Sequence, residues 1–203
     1  MVDARHAGRS LDALPALGAI SGIIVTGSAA SVTERAPWML ETGEFLARAV
    51  RGGKPLLGIC FGHQLLGQAL GGRVDKNPRG REIGTTALEV LEDDPLFSEE
   101  RPFLANQTHV DSVQELPPGA RVLARTPLDD HSAVRYGERA WGVQFHPEFD
   151  ADVMRGYVGA RSNLLRREGL DPEELSSRAA DAESTAGEIL RRFVRLVADA
   201  SAG

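Results

Sequence analysis

The sequence has little sulfur and few aromatic residues: Cys60 is the only cysteine, and Phe, Trp and Tyr together make up 5% of the chain. A lone cysteine rules out an internal disulfide. Residues 1–10 lack the basic and apolar regions of a secretory leader, and together these features suit a reducing cytoplasm, the location expected. No apolar run is long enough to span a bilayer, so no membrane partner is expected. The net charge of −6 offers phosphate backbones no general attraction, so no nucleic-acid partner is expected either. Internal repeats, low-complexity tracts and nucleotide-binding glycine loops are also missing. What remains, 203 residues with 42% hydrophobic and 26% charged side chains, is ordinary for one globular domain. A core over about residues 20–149 and a helical tail over 150–203 are expected.

The most informative stretch is residues 54–72. Leu56, Leu57 and Ile59 form a short apolar run without helical period, whereas Leu65, Leu66, Ala69 and Leu70 fall at helical spacing until Gly71 and Gly72. A buried strand therefore turns directly into a helix. Cys60 stands at that corner within Gly58-Ile59-Cys60-Phe61-Gly62, the cysteine form of a nucleophile elbow. Glycines two residues to either side permit a sharp turn where a Cβ would strike the adjoining strand or helix. The helix behind the corner presents partial positive charge to the sulfur and favours the thiolate, the form that attacks. Taken alone, the pattern fits a small buried cysteine beside a Gly-rich turn equally well.

A partner base decides between the two. Of the five histidines, His146 is best placed: residues 139–145 read as a strand, and His146-Pro147-Glu148 follows where proline ends it. Carboxyl ends of strands are where sites assemble in open α/β sheets. A base needs a third group to fix its tautomer and stabilise its charged form, and Glu148, two residues on across a rigid proline, can supply that. Cys60, His146 and Glu148 thus make a set of nucleophile, base and orienting carboxylate.

On Gly58-Ile59-Cys60-Phe61-Gly62-His63-Gln64, Gly142-Val143-Gln144-Phe145-His146-Pro147-Glu148 and the upstream Val25-Thr26-Gly27-Ser28, the sequence resembles the class I, or triad, glutamine amidotransferases. It is most similar to their stand-alone GMP synthase-like members and to the related γ-glutamyl peptidases. The resemblance runs from about Gly22 to Phe149. It implies a doubly wound, mostly parallel α/β sheet flanked by helices, with a flavodoxin-like order and an antiparallel extension over residues 83–145. It also implies an oxyanion hole from the N–H groups of Gly27 and Phe61, donors worth about 3–4 kcal/mol each in acyl transfer. Gln64 matches the glutamine that hydrogen-bonds the substrate. Thr108, His109 and Asp111 lie in a region that borders the substrate, with His109 and Asp111 in a recurring His-x-Asp pattern, although a polar loop accounts for that composition too. No metal or organic cofactor is implied.

Elsewhere the chain reads in order. Residues 22–26 are a β-branched run typical of a buried parallel strand. Pro37 suits a first helical position, and Met39, Gly43, Leu46 and Val50 repeat at helical spacing until Gly52-Gly53. Residues 83–91 alternate as a strand with one solvated face. Three short strands follow at 121–125, 132–136 and 139–145, with a tight turn at Gly137-Glu138. His131 is expected in a surface loop, and His63 as a packing or capping residue of the elbow helix. Arg73, Lys76, Arg79 and Arg81 read as a solvated loop or as a rim for a carboxylate-bearing substrate. Asp150 caps a helix reaching about Arg167, Asp171-Pro172 starts a second, and residues 188–198 form a third. The start departs from the family: residues 1–6 form no apolar strand, so the first strand is expected to be missing, through a late start or a truncation, at a cost in unpaired edges.

The implied activity is hydrolysis of the side-chain amide of glutamine through a Cys60 thioester, with ammonia passed to a partner synthetase. A free-standing γ-glutamyl peptidase acting on glutathione-like peptides would use the same residues. A non-catalytic regulatory homologue is the third reading, against which the complete set of three argues.

Overall fold

The computed structural model describes residues 14–97 and 103–202. Among these residues there are nine strands: β1 Ile23–Val25, β2 Leu56–Ile59, β3 Arg73–Lys76, β4 Glu82–Val90, β5 Phe103–His109, β6 Asp111–Glu115, β7 Arg121–Arg125, β8 Ala133–Gly137 and β9 Ala140–Val143. The α-helices among the described residues are α1 Pro37–Arg51, α2 Phe61–Ala69, α3 Ala151–Ala160, α4 Ser162–Arg167, α5 Pro172–Ser177 and α6 Ala186–Ala202. Seven strands form one sheet in the order β1-β2-β9-β8-β7-β4-β5, and β3 pairs separately with β6.

The part of the sheet that carries the nucleophile is parallel: β1 beside β2, and β2 beside β9. From β9 onward every pairing is antiparallel. The sheet is therefore mixed: a parallel part of three strands carries the nucleophile, and the antiparallel part is the extension expected over residues 83–145. Among the described residues β1 pairs only with β2 and so forms the edge. The expected absence of a preceding strand concerns residues 1–6, which lie outside the described residues.

β2 is apolar throughout because both its faces are covered. Leu57 and Ile59 pack with Trp141, Val143 and Phe193 on one side, while Leu56 packs with Met39, Leu46, Leu65 and Leu66 on the other. Helix α6 closes the first face, and α1 and α2 close the second. Pro37 occupies the first turn of α1 as its sequence suggested, and Gly52 ends the helix. The tail departs in detail: the expected helix over 150–167 breaks at Arg161 into α3 and α4. Asp150 caps the first piece by accepting from the Val153 N–H, and Asp171 caps α5.

In β4, read from its alternation as a strand with one solvated face, Ile83 is buried because Met154, Val158 and Leu165 of α3 and α4 pack on that end. The basic segment from Arg73 is half strand, since β3 pairs with β6.

Candidate active site

Strand β2 delivers Cys60 into the corner before α2, where its backbone takes φ 50° and ψ −105°. Besides Arg35, no other non-glycine among the described residues has positive φ. An L side chain adopts such angles only when its surroundings enforce them. Here they do. A Cβ on Gly58 would stand 2.6 Å from the carbonyl carbon of Gly62, and one on Gly62 would stand 2.2 Å from the carbonyl oxygen of Val25. Strand, corner and helix are in backbone contact, and Cys60 takes the only path left. Phe61, the first residue of α2, has an N–H that no intrahelical carbonyl can accept.

The base comes from the end of β9. The His146 N–H donates to the Asn106 carbonyl at 2.9 Å, and the Phe149 N–H closes a turn onto the His146 carbonyl at 3.2 Å. Asn106, fully buried in β5, also donates from Nδ2 to the Phe149 carbonyl at 2.8 Å, so one residue ties both ends of that turn. The Phe149 ring stacks on the His146 ring at 4.3 Å. His146 Nδ1 lies 2.8 Å from Glu148 Oε1, a geometry that puts the Nδ1 proton toward the carboxylate and leaves Nε2 for Cys60. Burial by itself pushes His146 down, but hydrogen bonds with Cys60 and Glu148, reinforced by their charges, outweigh it and hold the ring at about 9, against an ordinary 6.5. The imidazole is held as a cation beside the sulfur. Gly27 completes the enclosure: a Cβ there would stand 3.0 Å from His146 Cε1 and 3.9 Å from Cys60 Cβ.

Because the folded value of His146 exceeds the unfolded one, the stability its proton contributes is whole below pH 6.5 and is lost as pH rises through 9. An activity that needs His146 in its charged form should have its alkaline limb near pH 9. In Glu148→Gln one of the raising partners is gone, and the limb in a kcat/KM profile should move at least one unit toward acid. An unmoved limb would mean that Glu148 does not set the charge of His146.

Residues 106–109 belong to β5 and are buried, not a polar loop. Thr108 is buried, and the His109 ring is turned into the core, with Nδ1 donating to the Asp111 carbonyl at 3.1 Å and Nε2 3.0 Å from Glu82 Oε2. The Asp111 carboxylate accepts from Ser31 Oγ. Gln64, in the first turns of α2, donates through Nε2 to the Asp111 carbonyl at 2.7 Å and to Gln144 Oε1 at 3.0 Å. Gln144 in turn points its Nε2 at Cys60 Sγ, 3.5 Å away. Sequence reading passed over Gln144, although a glutamine between Val143 and Phe145 in a strand-ending apolar run was a signal for it. His63 is fully buried. Burial first, then the neighbouring His131 and His109, push it down to about 3, so it is a neutral packing residue that meets Tyr136 Oη at 3.2 Å.

The basic segment offers no free guanidinium to a substrate. Arg73 pairs with Glu115 and Asp75, Arg79 with Asp130, and Arg81 with Glu168 through two hydrogen bonds. His131 lies in the turn before β8, as expected, but half-buried, with Nδ1 2.6 Å from the Val113 carbonyl. Among the described residues no three His, Cys, Asp or Glu side chains gather as metal ligands, and no helix is long and apolar enough to cross a membrane.

The sequence model of the family described as glutamine amidotransferase class-I matches residues 5–158. The chain belongs to this family. Among curated relatives of this chain, the glutamine-hydrolyzing GMP synthase of Aeropyrum pernix is 41% identical over 141 residues, which cover 68% of this chain and 26% of that protein. A glutamine amidotransferase-like protein of Schizosaccharomyces pombe is 32% identical over 142 residues, covering 68% of this chain and 57% of that one. The chain spans about a quarter of the length of the long GMP synthases it matches. A crystal structure of a glutamine amidotransferase from Thermotoga maritima superposes with a TM-score of 0.75 at 26% identity, covering 91% of this chain and 80% of that one.

Proposed function

We propose that this amidotransferase hydrolyses the side-chain amide of glutamine and passes the ammonia to a partner synthetase. The observation that carries the reading is the assembly at one strand end of a strained cysteine, a histidine held charged beside it, and a carboxylate 2.8 Å from that histidine. The sulfur of Cys60 attacks the amide carbon, and the carbonyl π electrons move to oxygen. Gly27 and Phe61 donate their N–H groups to that oxyanion. As the tetrahedral centre collapses, His146 gives its proton to the departing nitrogen, the C–N bond breaks and ammonia leaves a thioester. His146, now neutral, takes a proton from water, whose oxygen attacks the thioester and releases glutamate and the Cys60 thiolate. Glu148 holds the ring for both transfers. Gln64, Thr108 and Asp111 border the substrate, and the synthetase is proposed by analogy with the glutamine-hydrolyzing GMP synthases. The residues of this chain need no metal or organic cofactor for these steps, and a cytoplasmic setting suits the reduced cysteine.

The test incubates the purified chain separately with glutamine and with glutathione and follows ammonia and free glutamate. Ammonia from glutamine is the expected result. Glutamate from glutathione without ammonia from glutamine would replace the reading with a γ-glutamyl peptidase. A chain that is silent with both, and that an electrophilic glutamine analogue does not label at Cys60 by intact mass, would overturn it.

A further inference from the structure

We infer that Glu82 and His109 are a positioning pair that sets Gln64 and Gln144 against Cys60 from inside the sheet. The observations form one unbroken chain. Thr126 Oγ1 donates to Glu82 Oε2 at 3.0 Å, the same oxygen that lies 3.0 Å from His109 Nε2. His109 Nδ1 and Gln64 Nε2 converge on the Asp111 carbonyl at 3.1 and 2.7 Å, and the second hydrogen of that Gln64 amide reaches Gln144 Oε1. Gln144 Nε2 ends the chain at Cys60 Sγ.

Each link has a fixed direction. The Asp111 carbonyl can only accept, so His109 Nδ1 must carry a proton. Nε2 faces a carboxyl oxygen, and the ring cannot flip without breaking both contacts. The side chains of His109 and Glu82 are only 1% and 4% exposed, which makes an unpaired state expensive. With both amide hydrogens of Gln64 committed, its Oε1 is the atom left to meet a donor on the substrate, such as an amino group. An amide flipped by 180° would offer a donor there instead, and would set its own oxygen against the Asp111 carbonyl, acceptor against acceptor. The same orientation makes Gln144 present its N–H, not its carbonyl oxygen, to the sulfur. His109 therefore acts through other residues, and touches neither Cys60 nor the space in front of it.

The inference rests on the proposed glutamine reading only for its substrate half, and two substitutions test it. The amide nitrogen of asparagine falls near Nδ1 of a histidine, and that of glutamine near Nε2. His109→Asn keeps a donor for the Asp111 carbonyl, and His109→Gln loses it while still reaching Glu82. Alkylation of Cys60 by iodoacetamide, followed by intact mass on folded protein, needs no substrate and so stands whether or not glutamine is hydrolysed. His109→Gln is expected to slow alkylation about tenfold and raise the KM for glutamine by a similar factor with a smaller change in kcat, the loss of one hydrogen bond. His109→Asn is expected to stay within about threefold of the wild type in both. Variants that both alkylate at the wild-type rate, or that fall together in step with their thermal midpoints, would overturn the inference. A wild type that alkylates normally, with the expected difference between variants, but spares glutamine would sink the functional reading and leave the positioning pair standing.

Discussion

Cys60→Gly and Cys60→Ala should both bring glutamine hydrolysis to background, on the order of 10⁴-fold below the wild type, while the glycine variant is the more stable of the two by about 1 kcal/mol. The first half follows from the absence of any second cysteine. The second follows from the corner. At φ 50° and ψ −105° Cys60 has a positive-φ backbone, a region open to glycine and strained for any residue with a Cβ. Both variants lose the sulfur and its hydrogen bond to His146, so their difference isolates the backbone. At ordinary positions alanine is the more stable by about 0.5–1 kcal/mol, so the expected sign is inverted. Thermal melts of the two variants give the sign directly. Alanine more stable than glycine would mean that the corner is relaxed and that the thiol is not held under strain.

How much of this was legible in the sequence depended on how local each cause was. The elbow could be read because strand, glycines, cysteine and helix are contiguous, and the clash that requires Gly58 lies between residues four apart. His146 and Glu148 could be read for the same reason: one tripeptide supplies the base, the break in the strand and the orienting carboxylate. The partners that hold these groups come from far along the chain and gave no local signal. Asn106 meets His146 and Phe149 across about forty residues, and Gln64 meets Gln144 across eighty. His109 shows the limit most clearly. A polar run of Asn, Gln, Thr and His reads as loop by composition, yet it is a buried strand because Thr85, Ser132 and Glu82 each supply a partner for one of its side chains. Composition records that a side chain is polar, not that its partner waits on another strand. The arginines from Arg73 to Arg81 carry the same lesson: cations close in sequence read as a solvated loop or as a rim for an acid, and each arginine is taken by a carboxylate of this chain.

Gly62→Ala is expected to destabilise the fold by more than about 4 kcal/mol and to leave little folded protein, whereas Gly156→Ala should stabilise it by about 0.5–1 kcal/mol. The two are single methyl additions in helices, and they differ in what the methyl meets. At Gly62 it would stand 2.2 Å from the carbonyl oxygen and 2.8 Å from Cβ of Val25, backbone and β-carbon of the strand beside β2. Neither is the far end of a side chain that could rotate away, so β1 and α2 would have to separate. Their separation would also move Gly27 from His146 and shift Phe61 at the head of the helix. At Gly156, exposed in α3, a Cβ meets nothing within 4 Å, and alanine simply has fewer unfolded conformations to lose. Chemical denaturation of both variants beside the wild type separates the two cases. A Gly62→Ala protein that unfolds within about 1 kcal/mol of the wild type would show that β1 does not press on the elbow. The close approach that forces Cys60 into its strained angles, and with it the argument for an activated corner, would then fail together.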